Sequence, residues 1–82
     1  MQARLSDLEG GTIFDCHGKT YKKGGICGPV IYKEGKFQPW VHGDEVDQRE
    51  QGVACQPKLG GLFQGNPALR AWFPNSATVT VT

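Results

Sequence analysis

Apolar and β-branched residues cluster in short segments along the first half of the chain, separated by polar connections that end in glycine. The paired segments are 12–15 with 19–22, and 30–32 with 36–38. Cys16-His17-Gly18 joins the first pair and Lys33-Glu34-Gly35 joins the second. A three-residue loop built on a type I turn needs a glycine with positive φ at its third position. The pattern therefore predicts two consecutive β-hairpins, with positive φ at Gly18 and Gly35.

Two strand registers are possible for the first hairpin. A three-residue loop pairs Ile13 with Tyr21, whereas a two-residue turn at His17-Gly18 pairs Phe14 with Tyr21. A shift of one residue exchanges the two faces of a strand, so these registers direct opposite side chains into the core. The sequence leaves both open.

The second half of the chain has weaker local signals. Val53-Ala54-Cys55 has the composition of a strand. Asn66-Pro67 has the sequence of a helix N-cap with proline at the first helical position, and predicts a short helix near 67–73. Residues 44–52 are polar and are predicted to form a surface loop or one short helix.

These elements predict one mainly all-β domain over residues 1–82. We expect a small partly open barrel or a sandwich, built from the two hairpins and one or two further strands. A chain of 82 residues buries only about 60–65% of its unfolded surface, so its core is thin. Such a core leaves little room for a deep substrate cleft, which argues against an enzyme with a large pocket.

Charge is nearly balanced but unevenly distributed. The formal net charge is +1, yet residues 17–36 contain five lysines against Glu34 alone. Residues 44–50 contain four carboxylates against Arg49 alone. The N-terminus lacks the apolar segment of a signal peptide, and no apolar run reaches the ~18 residues of a membrane span. We therefore expect no membrane contact, a cytoplasmic or virion location, and reduced thiols.

Residues with catalytic or metal-binding chemistry are present without a recognisable spacing. The possible zinc ligands are Cys16, His17, Cys27, His42 and Cys55. They do not form the close pairs of structural zinc sites. The acidic residues Asp44, Glu45, Asp47 and Glu50 lack the spacing of an EF-hand loop. We expect no metal, no cofactor and no catalytic residue; a small zinc- or thiol-dependent enzyme is the least favoured alternative.

The sequence is compatible with two kinds of binding function, nucleic-acid binding and protein binding. Aromatic and basic residues interleave along the hairpins, as in grooves that bind single-stranded nucleic acid. The candidate nucleic-acid residues are Lys19, Tyr21, Lys22, Lys23, Lys33, Lys36, Phe37 and Trp40, with Tyr32 in the same pattern. The favoured hypothesis is a non-enzymatic binding or structural module whose partner is another protein or its own copies.

The candidate protein interface combines an aromatic anchor with a terminal strand. Trp72 and Phe73 are residue types common at interface centres. Val79 and Val81 alternate with threonines, which predicts an uncharged strand. That strand must either complete the sheet of its own domain or pair with a neighbouring subunit.

The segment that leads into and through the first hairpin contains Leu5-x-x-Leu8-x-Gly-Gly-Thr-Ile-Phe14, followed by Gly18-Lys-Thr-Tyr-Lys22. These residues resemble the opening of small phage-encoded all-β proteins. Proteins of this kind serve as capsid decoration or tail components, as inhibitors of host proteins, or as nucleic-acid binders. The resemblance therefore implies a virion component or accessory protein.

Overall fold

One antiparallel sheet of eight strands forms the framework of this computed structural model, which describes residues 1–43 and 49–81. The strands are β1 (Gln2–Arg4), β2 (Ile13–Cys16), β3 (Lys19–Lys33), β4 (Lys36–Pro39), β5 (Glu50–Leu59), β6 (Leu62–Phe63), β7 (Ala71–Pro74) and β8 (Thr78–Thr80). Single-turn 3-10 helices lie at Leu5–Asp7 and Pro67–Leu69. The order is β1-β8-β2-β3-β5-β6, with β4 on β3 and β7 on β5, and the sheet does not close into a barrel. The all-β prediction is confirmed.

Both predicted hairpins form, but each is closed by a two-residue turn. Cys16 pairs with Lys19, and Lys33 pairs with Lys36. The residues between them have positive φ, 51° and 77° in the first turn and 56° and 79° in the second. These values are those of type I′ turns, whose twist matches that of the flanking strands. The three-residue loops were therefore wrong, while positive φ at the two glycines is confirmed.

The two-residue turn selects the alternative register, in which Phe14 pairs with Tyr21. This register sends Phe14 into the core, where it is 1% exposed. The Phe14 ring stacks on Tyr21 at 5.7 Å and meets Phe73 edge-on at 5.7 Å. Buried Leu5, Val53, Cys55 and Val79 complete this core. Burial of Phe14 is thus the physical reason for the observed register.

Lys23 holds the N-terminal segment against the core. Its Nζ donates hydrogen bonds to the carbonyl oxygens of Leu5, at 2.7 Å, and of Leu8. The Leu5 carbonyl begins the first 3-10 helix and also accepts the Leu8 N–H at 3.2 Å, whereas the Leu8 carbonyl belongs to the residue that ends the helix. Lys23 therefore closes the helix and seats Leu5, which is fully buried.

The C-terminal strand completes the sheet of its own domain. β8 pairs with β1, and Thr80 also pairs with Asp15 of β2. Val79 is 2% exposed, and the Val81 N–H donates to the Met1 carbonyl at 2.7 Å. Of the two pairings that the sequence allows for this tail, the structure has the internal one.

The predicted helix near 67–73 is reduced to its first turn. The Asn66 side chain accepts a hydrogen bond from the Ala68 N–H at 3.0 Å, so the predicted cap is present. Helix formation ends after Leu69, and Ala71–Pro74 pairs with β5 as β7. Strand geometry lets Phe73 reach the core, where its ring lies 4.9 Å from Tyr21. This burial outweighs the local helix signal.

Two further predictions concern the polar segment 44–52 and the strand that follows it. Val53-Ala54-Cys55 lies in β5, as predicted. Residues 50–52 of the predicted polar loop begin the same strand, whereas Asp44, Glu45 and Asp47 lie outside the described residues. In the part of the chain that the structure describes, no helix has the length and apolar character needed to cross a bilayer.

Candidate binding groove

The sheet stays open between β4 and β7. β4 pairs only with β3, and β7 pairs only with β5, so each strand has one unpaired edge within the described sheet. The two strands approach to within 8 Å between Cα atoms without pairing. The ends of both hairpins, residues 68–74 and the start of β8 surround a groove of about 860 Å³ here. We call it the β4–β7 groove.

The β3–β4 hairpin supplies one wall of the groove. Tyr32 lies directly opposite Phe37 in the register, so the two side chains share one face of the sheet. Their rings meet nearly perpendicular, at 72°, with centroids 5.1 Å apart. Tyr32 is 65% exposed and Phe37 is half-buried. Because side chains alternate along a strand, Val30 lies on the same face, and it is buried.

Strand β7 supplies the other wall through an unbroken register. Val30 lies opposite Glu50, and Gly52, two residues further along β5, lies opposite Pro74. A Cβ atom on Gly52 would lie 2.2 Å from a Val30 methyl carbon, so these two residues are packed on one face. Trp72 precedes Pro74 by two residues and shares that face. The groove therefore gathers Tyr32, Phe37, Trp72 and Pro74.

Backbone groups of both edges point into the opening. The Trp40 N–H donates to the Pro29 carbonyl at 2.9 Å, and the Asn75 N–H donates to the Gln51 carbonyl at 2.8 Å. Hydrogen-bonded and non-hydrogen-bonded pairs alternate in an antiparallel ladder. The pairs Trp40–Pro29 and Asn75–Gln51 are hydrogen-bonded. Phe37 lies three residues before Trp40, and Trp72 lies three residues before Asn75, so both lie in non-hydrogen-bonded pairs. Their N–H and C=O groups are thus directed away from β3 and β5, towards the opening.

The charged residues that line the groove, Lys36 and Arg70, are basic. His17, Lys36 and Arg70 line it, and the described lining residues include no aspartate or glutamate. Exposed Lys19 and Lys33 flank the two hairpin turns. Glu50 lies in a neighbouring hollow, where its Oε1 accepts a hydrogen bond from the Ser76 N–H at 2.8 Å. The groove therefore favours ligands that carry negative charge.

The structure separates the predicted nucleic-acid residues rather than gathering them. Tyr21, Lys36 and Phe37 line the β4–β7 groove, whereas the Lys23 ammonium is bonded within the fold. The Lys22 Nζ lies 5.9 Å from the Phe63 ring centroid, close to β6.

Trp40 forms a separate aromatic site. The Arg49 guanidinium lies over its ring at 4.2 Å, and His42 meets the ring edge-on at 6.4 Å. The indole Nε1 is buried and has no acceptor among the described residues. These contacts already cover the Trp40 ring on the side facing Arg49.

Two of the four predicted interface residues line the groove. Trp72 and Phe73 both belong to it, although the Phe73 ring is packed against Phe14 and Tyr21. Val79 is buried and Val81 is half-buried within the molecule. The two valines are therefore used by the chain's own fold.

Sequence reasoning missed Arg70 and Pro74 in the groove, and Lys58, whose Nζ lies 5.7 Å from the Phe63 ring. Arg70 falls within the predicted helix near 67–73, and Pro74 directly follows it. Only the pairing of β7 with β5 places Pro74 opposite Gly52, and that pairing has no local sequence signal.

The cysteines are all free thiols with little nucleophilic character. Cys16 is half-buried, Cys27 is exposed and Cys55 is buried. Burial raises the pKa of all three thiols, and that of Cys55 reaches about 11. Thiolates are the reactive species, and raised pKa values keep them scarce near neutral pH. No cluster of three or more His, Cys, Asp or Glu side chains suited to a metal ion occurs among the described residues.

Comparisons with protein-family models, with curated proteins and with solved structures find no match to this chain.

Proposed function

We propose that this chain is a non-enzymatic binding domain whose β4–β7 groove holds an extended segment of a partner protein or of a second copy. One observation carries the proposal: Tyr32, Phe37, Trp72 and Pro74 share one face beside two unpaired strand edges. Grooves lined by aromatic side chains are a recurring site for extended protein segments. The resemblance to phage proteins supports other virion proteins as a source of the partner.

The chemistry of the groove supports binding rather than catalysis. Cys16 and His17 are the lining residues closest to a nucleophile and a base. Burial raises the pKa of the Cys16 thiol, the opposite of what an activated nucleophile needs. His17 occupies the first position of the tight turn with positive φ. Its role is explained by the turn.

The width of the opening determines how a ligand is held. A strand inserted between β4 and β7 would need two strand spacings, roughly 9.5 Å. The Cα atoms of the two strands come within 8 Å of each other, so the opening is too narrow for an added strand. The ligand therefore lies over the side chains of Tyr32, Phe37 and Trp72.

Selection from a displayed library of random linear peptides tests the proposal. Tyr32→Ala removes the most exposed aromatic ring of the groove, and truncating a central aromatic residue typically weakens binding by about tenfold or more. Leu62→Ala is the control, because Leu62 is 71% exposed and lies on β6. We expect enriched peptides to bind wild type and Leu62→Ala equally and Tyr32→Ala more weakly. No enrichment, or equal binding to Tyr32→Ala, would contradict the proposal.

Single-stranded nucleic acid is the second candidate ligand. The observation in its favour is that His17, Lys36 and Arg70 line the same groove as the aromatic rings. Aromatic stacking platforms in a basic groove bind single strands with strong salt dependence. Fluorescence anisotropy with a labelled oligothymidylate at low and moderate salt tests it. Salt-dependent binding that Lys36→Glu abolishes would favour this candidate, and no binding at low salt would eliminate it.

A further inference from the structure

We infer that the ligand of the β4–β7 groove is an acidic protein segment in the polyproline II conformation. The inference rests on the proposed function and adds two properties to the ligand, its charge and its backbone conformation. The charge follows from the basic residues around the groove. The conformation follows from the width of the opening and from the aromatic residues that form its walls.

The basic residues come from three separate elements. His17 lies in the first hairpin turn, Lys36 at the start of β4, and Arg70 directly before β7. Lys36 and Arg70 therefore stand on opposite sides of the opening. With no carboxylate among the described lining residues, no described lining side chain neutralises Lys36 or Arg70. A carboxylate of the ligand meets opposite charge on whichever side it faces, whereas a basic ligand meets like charge on either side.

The conformation follows from what the groove can contact. The opening is too narrow to add a β-strand, so ladder hydrogen bonds along the whole ligand are excluded. A polyproline II segment needs no such ladder, and its preformed backbone loses little entropy on binding. Aromatic-lined grooves are the usual sites for this conformation. The perpendicular Tyr32 and Phe37 rings face Trp72 and Pro74 across the opening and provide such walls.

The charge and the backbone conformation of the ligand together predict how its carboxylates are spaced. Polyproline II repeats every three residues, with a rise of about 3.1 Å per residue. Side chains three positions apart therefore lie on the same side of the ligand. A segment with a carboxylate at every third position and proline between them presents carboxylates along one side, beside the Lys36 rim, and proline rings along the other two sides, against the aromatic walls. That pattern matches a groove with basic rims and aromatic walls.

Three short synthetic peptides test charge and conformation separately. The first repeats Glu-Pro-Pro, the second repeats Lys-Pro-Pro, and the third repeats Glu-Gly-Ser at the same length. Binding is measured by calorimetry at low salt to wild type, Lys36→Glu and Lys58→Glu. Lys58 is the control, because it is an exposed lysine on β5 beside Phe63 and does not line the groove. Both variants change exposed side chains, so both are expected to fold.

We expect the Glu-Pro-Pro peptide to bind wild type and Lys58→Glu equally, and Lys36→Glu at least about tenfold more weakly. The Lys-Pro-Pro and Glu-Gly-Ser peptides should bind about tenfold more weakly than Glu-Pro-Pro. Equal binding of Lys-Pro-Pro would overturn the charge assignment, and equal binding of Glu-Gly-Ser would overturn the conformation. In both cases the proposed function would stand.

Failure of all three peptides overturns the inference, and the library selection then decides on the proposed function itself. If the library yields groove-dependent peptides of another kind, the domain binds protein segments but not acidic polyproline. If the library fails as well and oligothymidylate binds, the groove takes nucleic acid and both proposals are wrong.

Discussion

Val30 packs its methyl groups directly against the bare backbone of Gly52. A Cβ atom at Gly52 would lie 2.2 Å from one Val30 methyl carbon and 2.8 Å from the other. This contact brings β3 and β5 together beneath the β4–β7 groove, because Val30 and Gly52 lie on the face that carries its aromatic residues. A methyl group added at Gly52 should therefore disturb this packing.

Gly52→Ala should destabilise the fold by about 1–3 kcal/mol, because a β-branched neighbour with little freedom must move away from the added methyl group. Gly25→Ala is the matched control, since a Cβ there meets nothing within 4 Å. Urea unfolding monitored by tryptophan fluorescence measures both. Equal midpoints for the two variants would show that Val30 yields without cost.

Lys23→Met should cost about 1.5–3 kcal/mol, because it removes two charge-assisted hydrogen bonds, one to the Leu8 carbonyl and one to the Leu5 carbonyl, which keeps only the Leu8 N–H as a donor. Lys22→Met is the control: it makes the same change at the neighbouring, exposed position. Thermal unfolding by circular dichroism compares them. If both variants melt at the same temperature, Lys23 does not secure the N-terminal segment.

The hairpins and the terminal strand were predictable from the sequence, because their signals are local. Glycine at the end of each turn fits both a three-residue loop and a type I′ turn. The type I′ turn also requires positive φ at its first residue. His17 and Glu34 adopt this conformation although neither is a glycine. In the first hairpin, burial of Phe14 favours the shorter turn, and that burial depends on distant strands.

The groove was not predictable, because its residues meet through long-range register. Tyr32 and Phe37 are neighbours within one hairpin, but Trp72 and Pro74 join them only through Gly52 on β5. The Asn66-Pro67 cap pointed to a helix across Trp72 and Phe73. Pairing with β5 overrides that signal, because it buries Phe73.

Stability should fall as pH rises from about 9 to about 11. Burial raises the pKa of the Cys55 thiol from 9.0 in the unfolded chain to about 11 in the fold. Between these values the unfolded state has lost the thiol proton and the folded state retains it, so rising pH favours unfolding. Below the unfolded pKa the contribution is fully present, and above about 11 it is lost.

Chemical denaturation of wild type and Cys55→Ala at several pH values isolates this contribution. The variant has its own packing cost, so only the change of the stability difference with pH is informative. We expect that difference to shrink between pH 9 and 11. A constant difference would mean that Cys55 titrates alike in both states.

Val79→Thr should destabilise the fold, whereas Val81→Thr should have a much smaller effect. The two substitutions are identical in volume and chemistry, and both lie in the C-terminal tail. Val79 is 2% exposed within the core with Phe14 and Val53, so a hydroxyl group there loses its water without a prepared partner, at a cost of about 1–3 kcal/mol. Val81 is only half-buried, and its main-chain bond to Met1 is unchanged by the substitution.

Urea unfolding gives the stabilities, and light scattering gives the mass of each variant. Because β8 completes the domain's own sheet, loss of stability should occur without a change in mass. A tail that instead joined two subunits would show the reverse, a change in mass with the unfolding midpoint unaltered.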